Sequence, residues 1–220
     1  MRALDAYRDL KRELDKHESP TFTVKDFNYF FNSGIDNWVA KNYASFPVIQ
    51  KELDDIRAII KSTSIAFSSN EATIPADYRH LLNLRVVVKF LVNAGKYKVD
   101  NQITIYPQRL KSGTEGYVKN NAFHRPSWKV PYYYMVGDKL RLDIGTQVEV
   151  VSATLDYIKK PATVYLNPAA TDFTPEIDNT TIEFPDHVYH ELVKECKRIF
   201  LENIESQRYQ STLNEEQMRP

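Results

Sequence analysis

The 220-residue chain has a single cysteine, Cys196, so no disulfide can form within it. That fits folding in a reducing compartment and excludes a disulfide-stapled secreted scaffold. Glycine is scarce, at six residues, and none has the spacing of a P-loop or a dinucleotide fingerprint. Neither CxxC nor HExxH occurs, so the common zinc patterns are missing. Net charge is also missing: 29 basic residues balance 29 acidic ones. A protein that grips nucleic acid nonspecifically needs a basic excess to neutralise phosphates, and none is present. A near-neutral surface instead favours association and burial in an assembly. No apolar run reaches the length of a membrane span. The first residues, MRALDAYRDLKRELDKHE, are charged and contain no signal-peptide core. The expectation is a soluble protein made in a cytoplasm.

What remains is ordinary for a globular chain: 42% hydrophobic and 26% charged residues. Leu4, Tyr7, Leu10 and Leu14 mark a helix over 1–18, stopped by Ser19-Pro20. Thr23 is placed to cap a second helix, with Asp26 three residues on. Its stripe is Phe27, Phe30, Phe31, Gly34, Ile35, Trp38 and Val39. A third helix opens at Pro47 with the stripe Ile49, Leu53, Ile56 and Ile60. The short turn between the second and third helices predicts an antiparallel hairpin.

After Lys61 the pattern becomes β-like. Strands are expected at 62–69, 84–92, 102–106, 132–135, 139–144, 148–158 and 163–166, with a turn at 74–78. Val136-Gly137-Asp138 is a hairpin signal. From Pro185 a last helix carries Val188, Leu192, Cys196, Ile199, Phe200 and Ile204 on one stripe and runs to about residue 209. The tail beyond it is expected to be mobile in isolation. The expected fold is α+β: an N-terminal helical hairpin and a C-terminal helix packed together, with a small antiparallel sheet or sandwich inserted between them. Parallel βαβ units are not indicated. The division is a helical part at 1–61, a β-rich part at 62–170, and a C-terminal helix and tail at 171–220. The two helical parts form one subdomain.

Residues 107–131 have no clear period and are long for a connection, which marks them as a contact arm. Aromatics interleave with Lys119, Arg125 and Lys129 over 117–134. That pattern suits stacked bases or a glycan. It suits buried anchors at a protein interface better, since Tyr, Trp and Arg are enriched there. Phe123, Arg125, Trp128, Tyr132 and Tyr133 are the candidate inter-subunit contacts. Arg208, Tyr209, Leu213 and Met218 are the candidate contacts to a further partner. A basic excess over 107–141 and an acidic excess from 172 onward would let copies associate head to tail.

Four residues could suggest chemistry. Asp186, His187 and His190 open the last helix, but spacing supplies no third strong ligand for a metal. The plainer reading is an acidic helix start with exposed histidines. Cys196 lies on an apolar stripe, where a thiol behaves as a small hydrophobe. No catalytic residue, cofactor or metal is expected.

Three longer strings stand out: Thr23-Val24-Lys25-Asp26-Phe27-Asn28-Tyr29-Phe30-Phe31-Asn32, Pro75-Ala76-Asp77-Tyr78-Arg79-His80-Leu81-Leu82 and Glu115-Gly116-Tyr117-Val118-Lys119-Asn120-Asn121-Ala122-Phe123. Shorter ones are Arg125-Pro126-Ser127, Pro131-Tyr132-Tyr133 and Asp156-Tyr157-Ile158-Lys159-Lys160-Pro161. These strings resemble a ring protein of crAss-like Bacteroides phages. They extend from about residue 21 to 205 and are structural rather than catalytic patterns. The layout is also similar to the wider class of portal-proximal head-to-tail adaptors of tailed phages. The resemblance implies a non-enzymatic virion protein at the head-tail junction, made in the host cytoplasm. It implies a dodecameric ring lining the exit channel for double-stranded DNA. Its implied partners are copies of itself, the portal protein and adjacent tail or connector proteins, with no membrane. The alternative is a binding module for a glycan or single-stranded nucleic acid on 117–134.

Overall fold

The computed structural model describes residues 2–15, 22–45, 55–93, 97–111, 113–121, 125–167 and 180–217. The chain is α+β and divides into two compact units. One unit comprises Met1–Ile59 and Pro161–Pro220, and the other is Ile60–Lys160. The β unit is thus an insertion into the helical one. The chain enters it at β1 and leaves it after β8, two strands that pair side by side with Ile60 opposite Ile158.

The helical unit contains α1 (Ala3–Asp15), α2 (Val24–Ser45), a 3-10 turn at Arg57–Ile59, and α4 (Asp186–Gln217). Helix α2 begins with a closed capping box. The Asp26 carboxylate accepts from the Thr23 N–H at 2.9 Å and from its hydroxyl at 2.6 Å, while the Asp26 N–H donates back to Thr23 Oγ1 at 3.2 Å. The apolar stripe of α2 is buried: Phe27, Phe30, Phe31, Ile35, Trp38 and Val39. It packs on α4, which buries Val188, Tyr189, Leu192, Val193, Cys196 and Phe200. Aromatic edges fill this core. Phe200 meets Phe22 and Phe30 edge-on, with ring centroids 4.8 and 5.2 Å apart. The two helices come close at Gly34, where a Cβ would stand a tight 3.2 Å from the Cys196 Cα. Glycine suits that approach by its size, not by its backbone freedom.

The helix expected from Pro47 lies mostly outside the described residues. Its described end is the 3-10 turn, with Ile56 and Ile59 buried. Strand β1 starts at Ile60, not Ser62. Helix α4 continues to Gln217, past the expected end near 209.

The segment expected as a strand at 163–166 pairs with none of the named strands among the described residues. Its Val164 and Leu166 bond to α2. The Asn32 amide accepts from the Val164 N–H and donates to its carbonyl, both at 2.8 Å. The Asn28 amide does the same to Leu166, at 2.9 and 2.8 Å. Four residues of helix rise about 6 Å and two residues of strand about 6.6 Å, so side chains at i and i+4 match alternate extended residues. Val164 and Leu166 bury their side chains, and these amides satisfy main-chain groups that would otherwise be buried without a partner.

The β unit is a sandwich of two four-stranded sheets. Its strands are β1 (Ile60–Ile65), β2 (Glu71–Thr73), β3 (Tyr78–Phe90), β4 (Gln102–Ile105), β5 (Gln108–Arg109), β6 (Tyr132–Val136), β7 (Lys139–Asp143) and β8 (Val148–Lys159). One sheet has the order β1-β8-β3-β4 and is antiparallel throughout. The other has the order β2-β7-β6-β5. Both contribute to one core, including Ile65, Leu84, Val86, Val88, Phe90, Tyr133, Leu140, Leu142, Leu155 and Tyr157. The β6–β7 hairpin turns at Gly137, whose φ of +61° suits glycine. One expectation is corrected: β5 and β6 pair in parallel over two residues, with the short helix α3 (Glu115–Asn120) between them in sequence.

Asp77, at the start of β3, ties together three strands of one sheet. Its carboxylate accepts from the buried Tyr157 hydroxyl at 2.7 Å and from Lys61 Nζ at 2.9 Å. The hydrogen bond from Lys61, then that from Tyr157, holds the Asp77 carboxyl below its ordinary range. The same pairing raises Lys61. A depressed carboxylate contributes stability above its unfolded pKa of about 3.9, and that contribution is lost as pH falls through the lower folded value. Lys61 contributes fully below its unfolded value and loses the contribution as pH rises through the raised one. Asp77→Asn is therefore expected to lower the urea midpoint at pH 7. The gap from the parent chain should close as pH falls below the ordinary carboxylate range. Urea titrations at neutral and acid pH check this; a gap of constant size would contradict it.

Candidate contact surface

Residues 125–131 are laid onto the sandwich by small and aromatic side chains. Ser127 and Val130 exchange backbone hydrogen bonds at 3.2 and 3.1 Å, making a tight turn with Trp128 at its tip. Trp128 packs edge-on against Phe90, with centroids 5.1 Å apart, and against Tyr97 at 5.4 Å. Phe90 and Tyr97 stack nearly parallel at 4.8 Å. The indole N–H donates to Gln147 Oε1 at 3.1 Å, and Lys129 Nζ lies 5.3 Å from the Trp128 ring centre. Gly145, with φ of +76°, lets this turn approach: a Cβ there would stand 3.3 Å from the Pro126 carbonyl oxygen. The result is an open cleft of about 380 Å³ lined by Arg125, Ser127, Trp128, Thr146 and Gln147, among others.

The candidate contact residues are thus distributed unequally. Arg125 is exposed and Trp128 half-buried, and the two line one cleft. Tyr132 and Tyr133 are buried, and Tyr133 belongs to the sandwich core. Phe123 lies outside the described residues. Where described, the segment 107–131 is anchored at Pro107, Val118, Pro126 and Pro131, which are buried, and is otherwise exposed or half-buried. Tyr117 is the large apolar side chain it leaves most exposed, at 72%. Phe90, Tyr97 and Gln147, which position Trp128, carry no sequence signal that links them to it. They come from three separate stretches that only the tertiary fold brings together.

Arg208, Tyr209 and Leu213 are on the helical backbone of α4, but their side chains lie outside the described residues, as does Met218. The groups at the start of α4 are spread apart. His187 Nε2 is 2.9 Å from Asp55 Oδ1, and the exposed His190 meets the Tyr189 ring edge-on at 5.4 Å. Among the described residues no group of three or more His, Cys, Asp or Glu is placed to hold a metal ion. Cys196 is buried, and burial pushes its thiol well above the ordinary range. A second cleft, of about 650 Å³, lies between α1 and α4. Four of its charged groups are engaged: Asp9 accepts from Tyr189 at 2.8 Å and pairs with Arg12 at 3.4 Å, while Glu13 pairs with Lys197 at 3.3 Å. No helix among the described residues is long and apolar enough to cross a membrane.

The fold defines the chain as an α+β protein with a β-sandwich inserted into a helical unit. It matches no protein-family model and no curated protein.

Proposed function

We propose that the chain is a non-enzymatic structural subunit of a tailed-phage virion. Copies form a ring in the head-to-tail connector, between the portal and the tail, and line the channel through which DNA leaves. The observation that carries this reading is the set of phage ring-protein strings. They fall on the elements that build both units: the capped start of α2, the Asp77 corner and β3, helix α3, and the end of β8. A protein whose role is spacing and sealing works through shape and through contact surfaces. Arg125 and Trp128 offer such a surface on the sandwich, and Trp128 is held rigid by Phe90 and Tyr97.

The test is assembly. Negative-stain electron microscopy of the concentrated chain, and of the chain co-expressed with portal, should show rings. Arg125→Glu should leave the circular dichroism spectrum unchanged, because Arg125 is exposed. It should weaken ring formation by at least about 2 kcal/mol, the usual size of an interface anchor. Rings that form equally well from the variant would remove Arg125 from the contact, and a chain that stays monomeric with portal present would remove the reading.

One observation favours a second reading. The cleft beside Trp128 presents an aromatic edge with Arg125, Ser127, Thr146 and Gln147 around it, a set that suits a glycan or a single-stranded nucleic acid. Saturable binding of an oligosaccharide or oligonucleotide to the isolated chain, lost in Trp128→Ala, would support it over the ring.

A further inference from the structure

The two sheets treat their edges differently. The sheet β2-β7-β6-β5 ends in strands of three and two residues, too short to template another strand. The sheet β1-β8-β3-β4 ends in strands of six and four residues, and no other described element runs along either. Hydrogen bonding fixes which groups of β4 face outward. The Phe90 N–H donates to the Asn101 carbonyl at 3.1 Å, and Asp100, with φ of +67°, makes the adjoining bulge. Alternation along an antiparallel ladder then turns Ile103 and Ile105 toward β3, and points the N–H and C=O of Gln102 and Thr104 away from the sheet.

We propose that β4 of one copy pairs with β1 of the next, so that this sheet runs on from subunit to subunit. The sheet has four strands, all antiparallel, so its two edge strands run in opposite directions. Head-to-tail joining of copies therefore makes another antiparallel pair, with no inversion of either subunit. Side chains match as well. Ile103 and Ile105 oppose the buried Val88 and Val86, so they belong to the core-facing side of β4. Ile65 and Thr63 oppose the buried Ala153 and Leu155, so they belong to the core-facing side of β1. The register that sets Ile103 against Ile65 and Ile105 against Thr63 keeps both core faces on one side. It places the exposed pair Thr104 and Ser64 opposite each other on the other side. A slip of one residue would turn the isoleucines to the polar face. The contact is heterologous, with different surfaces on the two partners, which is the kind that closes into a ring when the rotation allows. In its closed form the inference rests on the ring reading; the strand pairing itself does not.

The experiment is a disulfide cross-link in the full chain, with Ser64→Cys and Thr104→Cys in one molecule. Within one copy those positions are three strand spacings apart, about 14 Å, too far for a disulfide. Opposed across the proposed pair they are about 4.5–5.5 Å apart, within range. The buried Cys196 stays silent. Oxidation of the concentrated double variant should give a ladder of dimers, trimers and higher species on a non-reducing gel. Either single variant alone should give none, and a mixture of the two should stop at dimers. Thr104→Pro, added to the double variant, should abolish the ladder and keep the circular dichroism spectrum. Proline at an edge position whose N–H faces outward is tolerated by the fold but cannot donate to a new strand. Absence of the ladder, cross-linking of a single variant as efficient as that of the double, or a ladder that survives the proline overturns the pairing. Cross-linked open filaments would retain the pairing and remove the ring, whereas rings that form without the cross-link would retain the ring and remove the pairing.

Discussion

Trp38→Ala is expected to lower the unfolding free energy of the helical unit by about 3–5 kcal/mol, the usual range for deleting a large buried aromatic. Trp38 is 5% exposed and its ring meets Phe184 edge-on, with centroids 5.4 Å apart. Its indole N–H donates to Glu191 on α4 at 3.1 Å. The substitution removes core volume from between α2 and the segment leading into α4. Glu191 is exposed and rehydrates when its donor is lost, so the cost is mainly one of packing. Trp38→Phe separates the two contributions. It keeps most of the ring contact and should cost far less than alanine. Denaturant titration followed by the exchange of α2 amides is the measurement, since it reports the helical unit rather than the sandwich. An unchanged midpoint in the alanine variant would place Trp38 outside the core.

Asn32→Ala is expected to cost about 2–4 kcal/mol, which is large for a polar side chain. Its amide satisfies both main-chain groups of Val164, a residue only 3% exposed. Each group left buried without a partner costs about 1–3 kcal/mol. Asn28→Ala should act likewise on Leu166. The double variant should fall short of the sum, since the two amides hold one segment and are coupled. Asn32→Asp should not rescue, because a carboxylate can accept from the Val164 N–H but only repels its carbonyl. Hydrogen exchange gives a readout specific to the site. The Val164 amide should lose its protection in Asn32→Ala while amides of the sandwich strands keep theirs. Protection at Val164 equal to that of the parent chain would refute the pairing.

These two sites mark the boundary of what the sequence makes legible. Trp38 stands out because an apolar stripe at helical spacing predicts its burial, and the cap at Thr23 and Asp26 predicts where that helix starts. Both are local signals. The asparagines interrupt the same helix with polarity, and nothing nearby explains them, since their partners lie 132 and 138 residues on. The β-branched and apolar residues at 163–166 do predict extended backbone. What they cannot reveal is that helix side chains bond the main-chain groups of Val164 and Leu166. Strand β3 was partly hidden for another reason. Its register against β8 shifts between Tyr78 and His80, between Leu81 and Asn83, and between Val87 and Val88. The first two irregularities reset the alternation before Leu84, so only the valine-rich stretch from Leu84 looks like a strand. At the candidate surface, aromatic and arginine content marks Arg125 and Trp128, which line one cleft, together with Tyr132 and Tyr133, which are buried. It does not separate the two pairs, because a buried tyrosine in a core and one at an interface obey the same chemistry.

The contact of Gly34 with Cys196 gives the protein a built-in clock. Its only thiol is sealed where two helices cross, so an alkylating reagent can reach it only while they are apart. The rate of modification under native conditions therefore counts openings of the helical unit alone, because the sandwich contains no cysteine to contribute. Binding that clamps α2 to α4 would slow the clock, and anything that pries them apart would hasten it.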